Sequence, residues 1–284
     1  MTMLQAKPGT EPRASQDFYA DPLVYDVLHG PGTASDVATL RRIARRFTLP
    51  RQTQTWLEPA CGTGRYLIRA ASTGVRSIGF DLSPAMVAFA QDRARERGVG
   101  RRVKVSVASM ESFVEACGIK PRSVDFAFNL INTIRHLDSD HAMLAHLDEV
   151  AGVLRSGGAY AVGVSLCAYG LEPITEDTWS GKRAGLSVSQ VVQYIPPPAS
   201  GADARRGAAS RLERVISHMT VRRGRTESHV DSTYALRAYN LNQWLALIAK
   251  SPLEIAAVVD SDGDEAEPRE PGYFVFILTA RDST

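Results

Sequence analysis

Residues 56–67, WLEPACGTGRYL, decide the fold. An apolar strand ends at Glu58, Gly62 and Gly64 stand in the turn behind it, and a helix opens at the next residues. Glycine at such a turn lets backbone approach a ligand closely, and a carboxylate at a strand end can meet a cationic or hydroxylated group.

The next segment outward, VRSIGFDLSPAM at 75–86, places Asp81 at the end of a second strand, where an acid can accept both hydroxyls of a ribose. Met86 would offer adenine a soft apolar surface. The same two residues also have a plainer reading, in which Asp81 caps the helix beginning near Ser83 and Met86 belongs to the core.

Further along, short apolar runs alternate with helical stretches. TQTWLE (53–58), VRSIGF (75–80), RVKVSV (102–107), VDFAFNL (124–130) and GAYAVGVSL (158–166) read as buried strands. PAMVAFAQDRARER (84–97) reads as an amphipathic helix, and Met143, Leu147, Val150 and Leu154 share one face of another. This alternation predicts an α/β fold, a parallel sheet with helices on both faces. Toward the N-terminus, residues 1–15 show no periodicity, DFYADPLVYDVLHG (17–30) has local helical spacing, and Ser35 is placed to cap a helix through Phe47.

After Leu166 the pattern changes. Residues 168–186 are mixed, VSQVVQYI (188–195) reads as a strand, and residues 195–210 form a loop rich in Pro, Gly, Ala and Arg. Residues 211–239 read as a β-hairpin turning near Arg223-Gly224. A short helix (241–251), a strand (253–260), an acidic loop (261–272) and a last strand (273–281) complete the chain. The expected organisation is a tail and helical lid at 1–47, a ligand-binding α/β core at 48–167, an antiparallel insertion at 168–239 capping the substrate side, and a helix with a β-hairpin at 240–284 finishing the core.

Composition adds limits. The chain has 284 residues, 44% of them hydrophobic, and its 33 Lys and Arg nearly balance 31 Asp and Glu. A net charge of +2 argues for neither a polyanionic nor an acidic partner. The arginines at 205, 206, 211, 214, 222, 223 and 225 are interrupted by acids and lack neighbouring aromatics, so a solvated face is expected rather than a nucleic-acid groove. Cys61, Cys117 and Cys167 are too widely spaced for a metal motif, and no metal is expected. The opening residues lack an apolar leader core and no apolar run approaches bilayer length, which leads us to expect a cytoplasmic protein with no membrane partner.

Together EPACGTG (58–64), GFDLSPAM (79–86), VDFAFNL (124–130) and VLRSGGAY (153–160) resemble the ordered motifs of class I S-adenosylmethionine-dependent methyltransferases. The resemblance covers most of residues 55–166. It implies a Rossmann-like, seven-stranded, mostly parallel sheet, with S-adenosylmethionine as cofactor and S-adenosylhomocysteine as product. In that family the glycine loop cradles the methionine end and ribose, and the acid after the second strand holds the ribose. Those roles fall on Glu58, Ala60, Gly62, Gly64 and Asp81. Ala60 departs from the usual glycine, and Ser109 stands where the family has an acid contacting the adenine amine, with Met110 beside it. Asn129 takes the place of a residue touching the methionine moiety.

The spacing of FNLINTIRHL (128–137) is similar to that of aminosugar N-methyltransferases, in which a histidine lies near the acceptor. By this resemblance His136 is a candidate general base, since imidazole titrates near neutrality. LVYDVLHG (23–30) looks like the helical lid of small-molecule methyltransferases, which makes Tyr19 a cofactor-covering candidate and Tyr25 a catalytic one, with His29 nearby. The expected reaction is methyl transfer to an amine, ahead of a hydroxyl, of a small molecule, by a monomer or homodimer. A nucleic-acid methyltransferase, a nicotinamide-dependent oxidoreductase and a noncatalytic S-adenosylmethionine-binding protein are the alternatives. The loop is not GxGxxG, and NLINT (129–133) is not the Asn-Pro-Pro-aromatic motif used on adenine amines.

Overall fold

The computed structural model describes residues 19–202 and 211–281. The N-terminal tail, Arg205 and Arg206 lie outside that range.

Two helices come first. Asp21 caps α1 (Pro22–His29) by accepting from the amides of Leu23 and Val24 at 3.0 and 3.1 Å, and proline fills the first helical position. α2 (Thr33–Phe47) starts two residues before the expected cap at Ser35, because Gly32 turns the chain with φ 82° and no side chain caps the helix. Its inward stripe is Val37, Leu40, Ile43 and Ala44, as the spacing predicts.

The larger sheet has seven strands in the order β10-β11-β5-β4-β1-β2-β3. β1 (Thr55–Pro59), β2 (Arg76–Asp81), β3 (Val103–Val107), β4 (Val124–Asn129) and β5 (Leu154–Leu166) run parallel. β10 (Leu253–Val259) and β11 (Gly272–Ala280) close the edge in antiparallel fashion. β4 is buried along its whole length, including Asp125, which pairs with Arg51 and Arg155, and Asn129 at its end. The crossovers are α3 (Arg65–Ala71), α4 (Pro84–Glu96), the single turn α5 (Val114–Cys117) and α6 (Asp140–Val153), and α7 (Leu241–Ala249) precedes β10. One face carries Trp56, Phe126 and Phe128 edge-on at 5.0 and 5.9 Å, and the other stacks Phe80 on Phe113 at 4.5 Å. Strand order reverses between β1 and β4, so a crevice opens beyond their carboxyl ends.

A second, four-stranded antiparallel sheet comprises β6 (Thr175–Arg183), β7 (Leu186–Ile195), β8 (Leu212–Arg223) and β9 (Thr226–Arg237) in sequence order. The β8–β9 register pairs Arg223 with Thr226, which sets the hairpin where the sequence placed it. β6 was not foreseen within residues 168–186. Its segment TEDTWSGKR is an exposed edge strand with Gly181 as its one buried residue, so it carries no apolar alternation. Gly181 lies against α1, where an added Cβ would stand 1.9 Å from the Val27 carbonyl oxygen. Arg211, Arg222 and Arg223 are in ion pairs with Asp140, Glu227 and Asp21, which accounts for part of the basic segment as surface pairing within the fold. Among the described residues no helix is long and apolar enough to cross a membrane, and no group of three His, Cys, Asp or Glu is arranged to hold a metal.

Candidate active site

The crevice beyond β1 and β4 holds a cavity of about 140 Å³. Its floor is the glycine turn and the end of β4, and α1 and the second sheet line it from above. Six of the expected site residues line it: Tyr19, Tyr25, Glu58, Ala60, Asn129 and His136. Gly62, Gly64, Asp81, Met86, Ser109 and Met110 do not.

The glycine turn is held in left-handed backbone at Ala60 (φ 50°), Gly62 (φ 52°) and Gly64 (φ 67°). Alanine at position 60 therefore accepts strain that a glycine would not. Asp81 organises the turn, accepting from the Gly62 amide at 2.8 Å and from the Ser83 amide at 2.9 Å. Ser83, not Asp81, caps α4 through the Met86 amide. Burial raises the pKa of the Asp81 carboxyl while these two amides pull it back. Met86 is buried at 1% exposure on α4, Met110 packs into the core, and the Ser109 hydroxyl meets that of Ser112 at 3.1 Å.

Two residues that line this cavity each keep one buried acceptor atom with no partner among the described residues. Glu58 leaves Oε2 unpaired, and burial pushes its carboxyl well above the usual range against the pull of Arg65. Asn129 donates from Nδ2 to the Pro59 carbonyl at 3.0 Å, which fixes the amide and leaves Oδ1 unpaired. Unsatisfied buried acceptors are rare in folded proteins, and both suit a ligand bearing N–H donors or positive charge. The methionine end of S-adenosylmethionine, an ammonium beside a sulfonium, fits this donor-poor wall.

His136 ends a single 3₁₀ turn, Thr133–His136, behind a bend in which Ile131 (φ 55°) and Asn132 (φ 61°) are both left-handed. The bend is held from both sides of Asn132, whose Nδ2 donates to Ser165 Oγ at 2.8 Å and whose Oδ1 accepts from the Ser165 amide at 2.6 Å. Next to it, Arg135 is buried and donates to the Arg237 carbonyl and to Glu213 Oε2, both at 2.7 Å, which locks the turn to β8 and β9. The His136 ring stacks on Tyr234 at 5.6 Å and meets Tyr19 edge-on at 6.5 Å. The residue is solvent-exposed, with its ring on the wall of the cavity. Loss of bulk water and the Arg135 cation lower its pKa to about 4, so the imidazole is neutral at physiological pH.

Tyr25 lies over the glycine turn, where a Cβ at position 62 would come 3.4 Å from its Cε1. Burial, opposed by Arg65, lifts its phenol to about 12, which keeps it protonated at neutral pH, able to donate a hydrogen bond. Tyr19 stands against Tyr25 at 5.8 Å. Residues that the sequence did not single out also line the cavity: Arg65, Thr63, Trp179, Tyr194 and Tyr234. The last three come from the second sheet. A signal existed in β7, where polar Gln190 interrupts the inward series Leu186, Val188, Val192 and is itself buried.

Residues 57–158 match the family described as a methyltransferase domain. No curated protein sequence matches the chain. Among solved structures it resembles DesVI of Streptomyces venezuelae at 18% identity, over 91% of this chain and 97% of that one, with a TM-score of 0.69. The sugar N-methyltransferase KedS8 of a Streptoalloteichus species shares 20% identity over 99% of both chains, with a TM-score of 0.65. CalS10 of Micromonospora echinaspora, an amino pentose methyltransferase solved with S-adenosylmethionine bound, shares 20% identity over 96% of this chain and all of its own, with a TM-score of 0.61. At these identities the likeness is one of fold. With the matched domain, the sheet order and the glycine turn gripped by Asp81, it gives the α/β core the class I, Rossmann-like fold of a methyltransferase domain.

Proposed function

We propose that the protein transfers a methyl group to an amine of a small molecule, of which an amino sugar is the best-fitting class. The observation that carries this reading is that His136, neutral and ringed by aromatics, lines the same cavity as Glu58 and Asn129. KedS8, a sugar N-methyltransferase, and CalS10, an amino pentose methyltransferase, support it by analogy.

When bound, S-adenosylmethionine supplies a methyl group activated by its sulfonium. Glu58 and Asn129 Oδ1 receive the cationic end, and Arg65, at the start of the helix behind the turn, faces the carboxylate. Asp81 grips the ribose with the lone pairs that the amides of Gly62 and Ser83 leave free, and Gly64 lets that turn close. Ser109, beyond the end of β3, is the candidate left to meet the adenine, since Met86 and Met110 are taken up by the core. Tyr19 and Tyr25 cover the site and exclude water. The acceptor nitrogen would enter beside Tyr234, and a neutral His136 nitrogen would accept the proton that the amine sheds. The sheet β6–β9 acts as the acceptor-side cap.

The test is an assay with methyl-labelled S-adenosylmethionine on paired acceptors that differ only in an amino or a hydroxyl group at one sugar carbon. Label on nitrogen that drops strongly in His136→Phe supports the reading. Label found only on hydroxyls, in the native enzyme, removes it.

A further inference from the structure

Asp26 follows Tyr25 on the lid helix and is fully buried, yet its carboxylate has no place in the chemistry described above. Three separate parts of the fold converge on it. The Thr63 hydroxyl, from between the two glycines of the cofactor turn, donates to Oδ1 at 2.9 Å. Arg93 of α4, the helix behind Asp81, donates to the same oxygen. Arg183, the last residue of β6 in the second sheet, donates to Oδ2 at 2.6 Å. At the other side of α1, Gly181 lets β6 press its backbone on the Val27 carbonyl, so the sheet and the lid are in direct backbone contact.

A buried carboxylate with two guanidinium partners is worth little as bulk stabilisation, because desolvation offsets most of the attraction, but it enforces one arrangement of the groups it joins. Here the groups are the lid, the cofactor turn, the ribose-side helix and the substrate-side sheet. We infer that Asp26 is a positioning residue for methyl transfer: through Thr63 and Arg183 it makes closure of the lid over the cofactor turn conditional on the seating of the antiparallel sheet. Cofactor exchange then requires the Arg183–Asp26 pair to open. The inference rests on the methyltransferase reading of the same cavity and adds the coupling between its two sides.

Arg183 is the arm to test, since its side chain is 38% exposed and its loss leaves Arg93 on the carboxylate. Release of S-adenosylhomocysteine is followed by stopped flow in the full-length protein, with calorimetric binding to the unaltered protein as the control for the cofactor site. Arg183→Met is expected to speed release about tenfold, the equivalent of one charge-assisted hydrogen bond, with thermal midpoint unchanged. Arg183→Lys should restore most of the slow release. Thr63→Val should speed release too, and the double variant should fall short of the product of the two effects, because both act through Asp26. If the native protein binds S-adenosylhomocysteine but Arg183→Met releases it at the native rate, or if the two effects simply multiply, the coupling is overturned while the cofactor site stands. No binding to the native protein overturns both.

Discussion

The ring of Tyr25 sits directly over Gly62, so close that a Cβ there would come within 3.4 Å of Cε1. The first helix and the glycine turn thus share one surface, and position 62 favours glycine by its φ of 52°, since a Cβ 3.4 Å from the ring would be in ordinary contact. Left-handed backbone costs a residue with a Cβ about 1–2 kcal/mol. We expect Gly62→Ala to weaken S-adenosylmethionine binding about tenfold in calorimetry, from strain in the closed turn. Unchanged affinity would mean that the turn is not held in this shape when the cofactor is bound.

On the proposed reading, His136 serves the chemistry and leaves cofactor binding to other residues. His136→Phe keeps a ring against Tyr234 and removes the proton acceptor, and should lower kcat by about 100-fold or more while the affinity for S-adenosylhomocysteine stays within about twofold. A parallel loss of both would assign His136 to the cofactor instead.

The same residue fixes the pH dependence. With its pKa lowered to about 4, His136 does not change charge between pH 6 and pH 9, so a rising limb of kcat/KM in that range belongs to the acceptor ammonium. Replacing the acceptor by an analogue of lower amine pKa should shift the limb by the same amount. A limb near pH 6.5 that ignores the acceptor would indicate an imidazole titrating at its ordinary value.

His146 couples stability to pH. It is fully buried on α6 between the Met110 carbonyl, 2.9 Å from Nδ1, and the Tyr160 hydroxyl, 2.8 Å from Nε2. A carbonyl only accepts, so Nδ1 carries the proton and Nε2 receives the tyrosine hydroxyl. Burial, partly offset by the Met110 contact, lowers its pKa to about 4. The unfolded chain takes up this proton below its ordinary value near 6.5, whereas the native state resists until about 4. Stability from this group is therefore intact above pH 7 and lost as pH falls from 6.5 to 4, by about 3 kcal/mol at most. Urea midpoints across pH 4–7.5 check the slope. His146→Leu should flatten it and, by stranding two buried polar groups, cost about 2–4 kcal/mol at pH 7.5.

The parallel core was legible because its central strands are buried on both faces: VDFAFNL needs no partner to reveal itself, and the motif from Glu58 to Gly64 marks the strand-to-helix turn at the crevice without help from tertiary structure. Outside the core, legibility followed local signals. The β8–β9 turn announced itself through Arg223-Gly224, whereas β6 has one inward residue, a glycine whose meaning depends on the backbone of α1. Trp179, Tyr194 and Tyr234 reach the cavity only because the second sheet folds back over β4, a relation between segments far apart in sequence. His146 did leave a trace, lying three residues after Met143 and four before Val150 on the apolar stripe of its helix, where a polar side chain must find partners. Arg135 left none, since its role depends on the Arg237 carbonyl and Glu213 on other strands.

The most direct measurement is a side-by-side calorimetric titration of S-adenosylhomocysteine into the native protein and Glu58→Gln. The account places Glu58 Oε2, which has no partner among the described residues, against the cationic end of the cofactor. It predicts binding at one site in the native protein and a loss of about tenfold or more in the variant, as expected for a charge-assisted hydrogen bond reduced to a neutral one. Equal affinities, or no binding by the native protein, would contradict it.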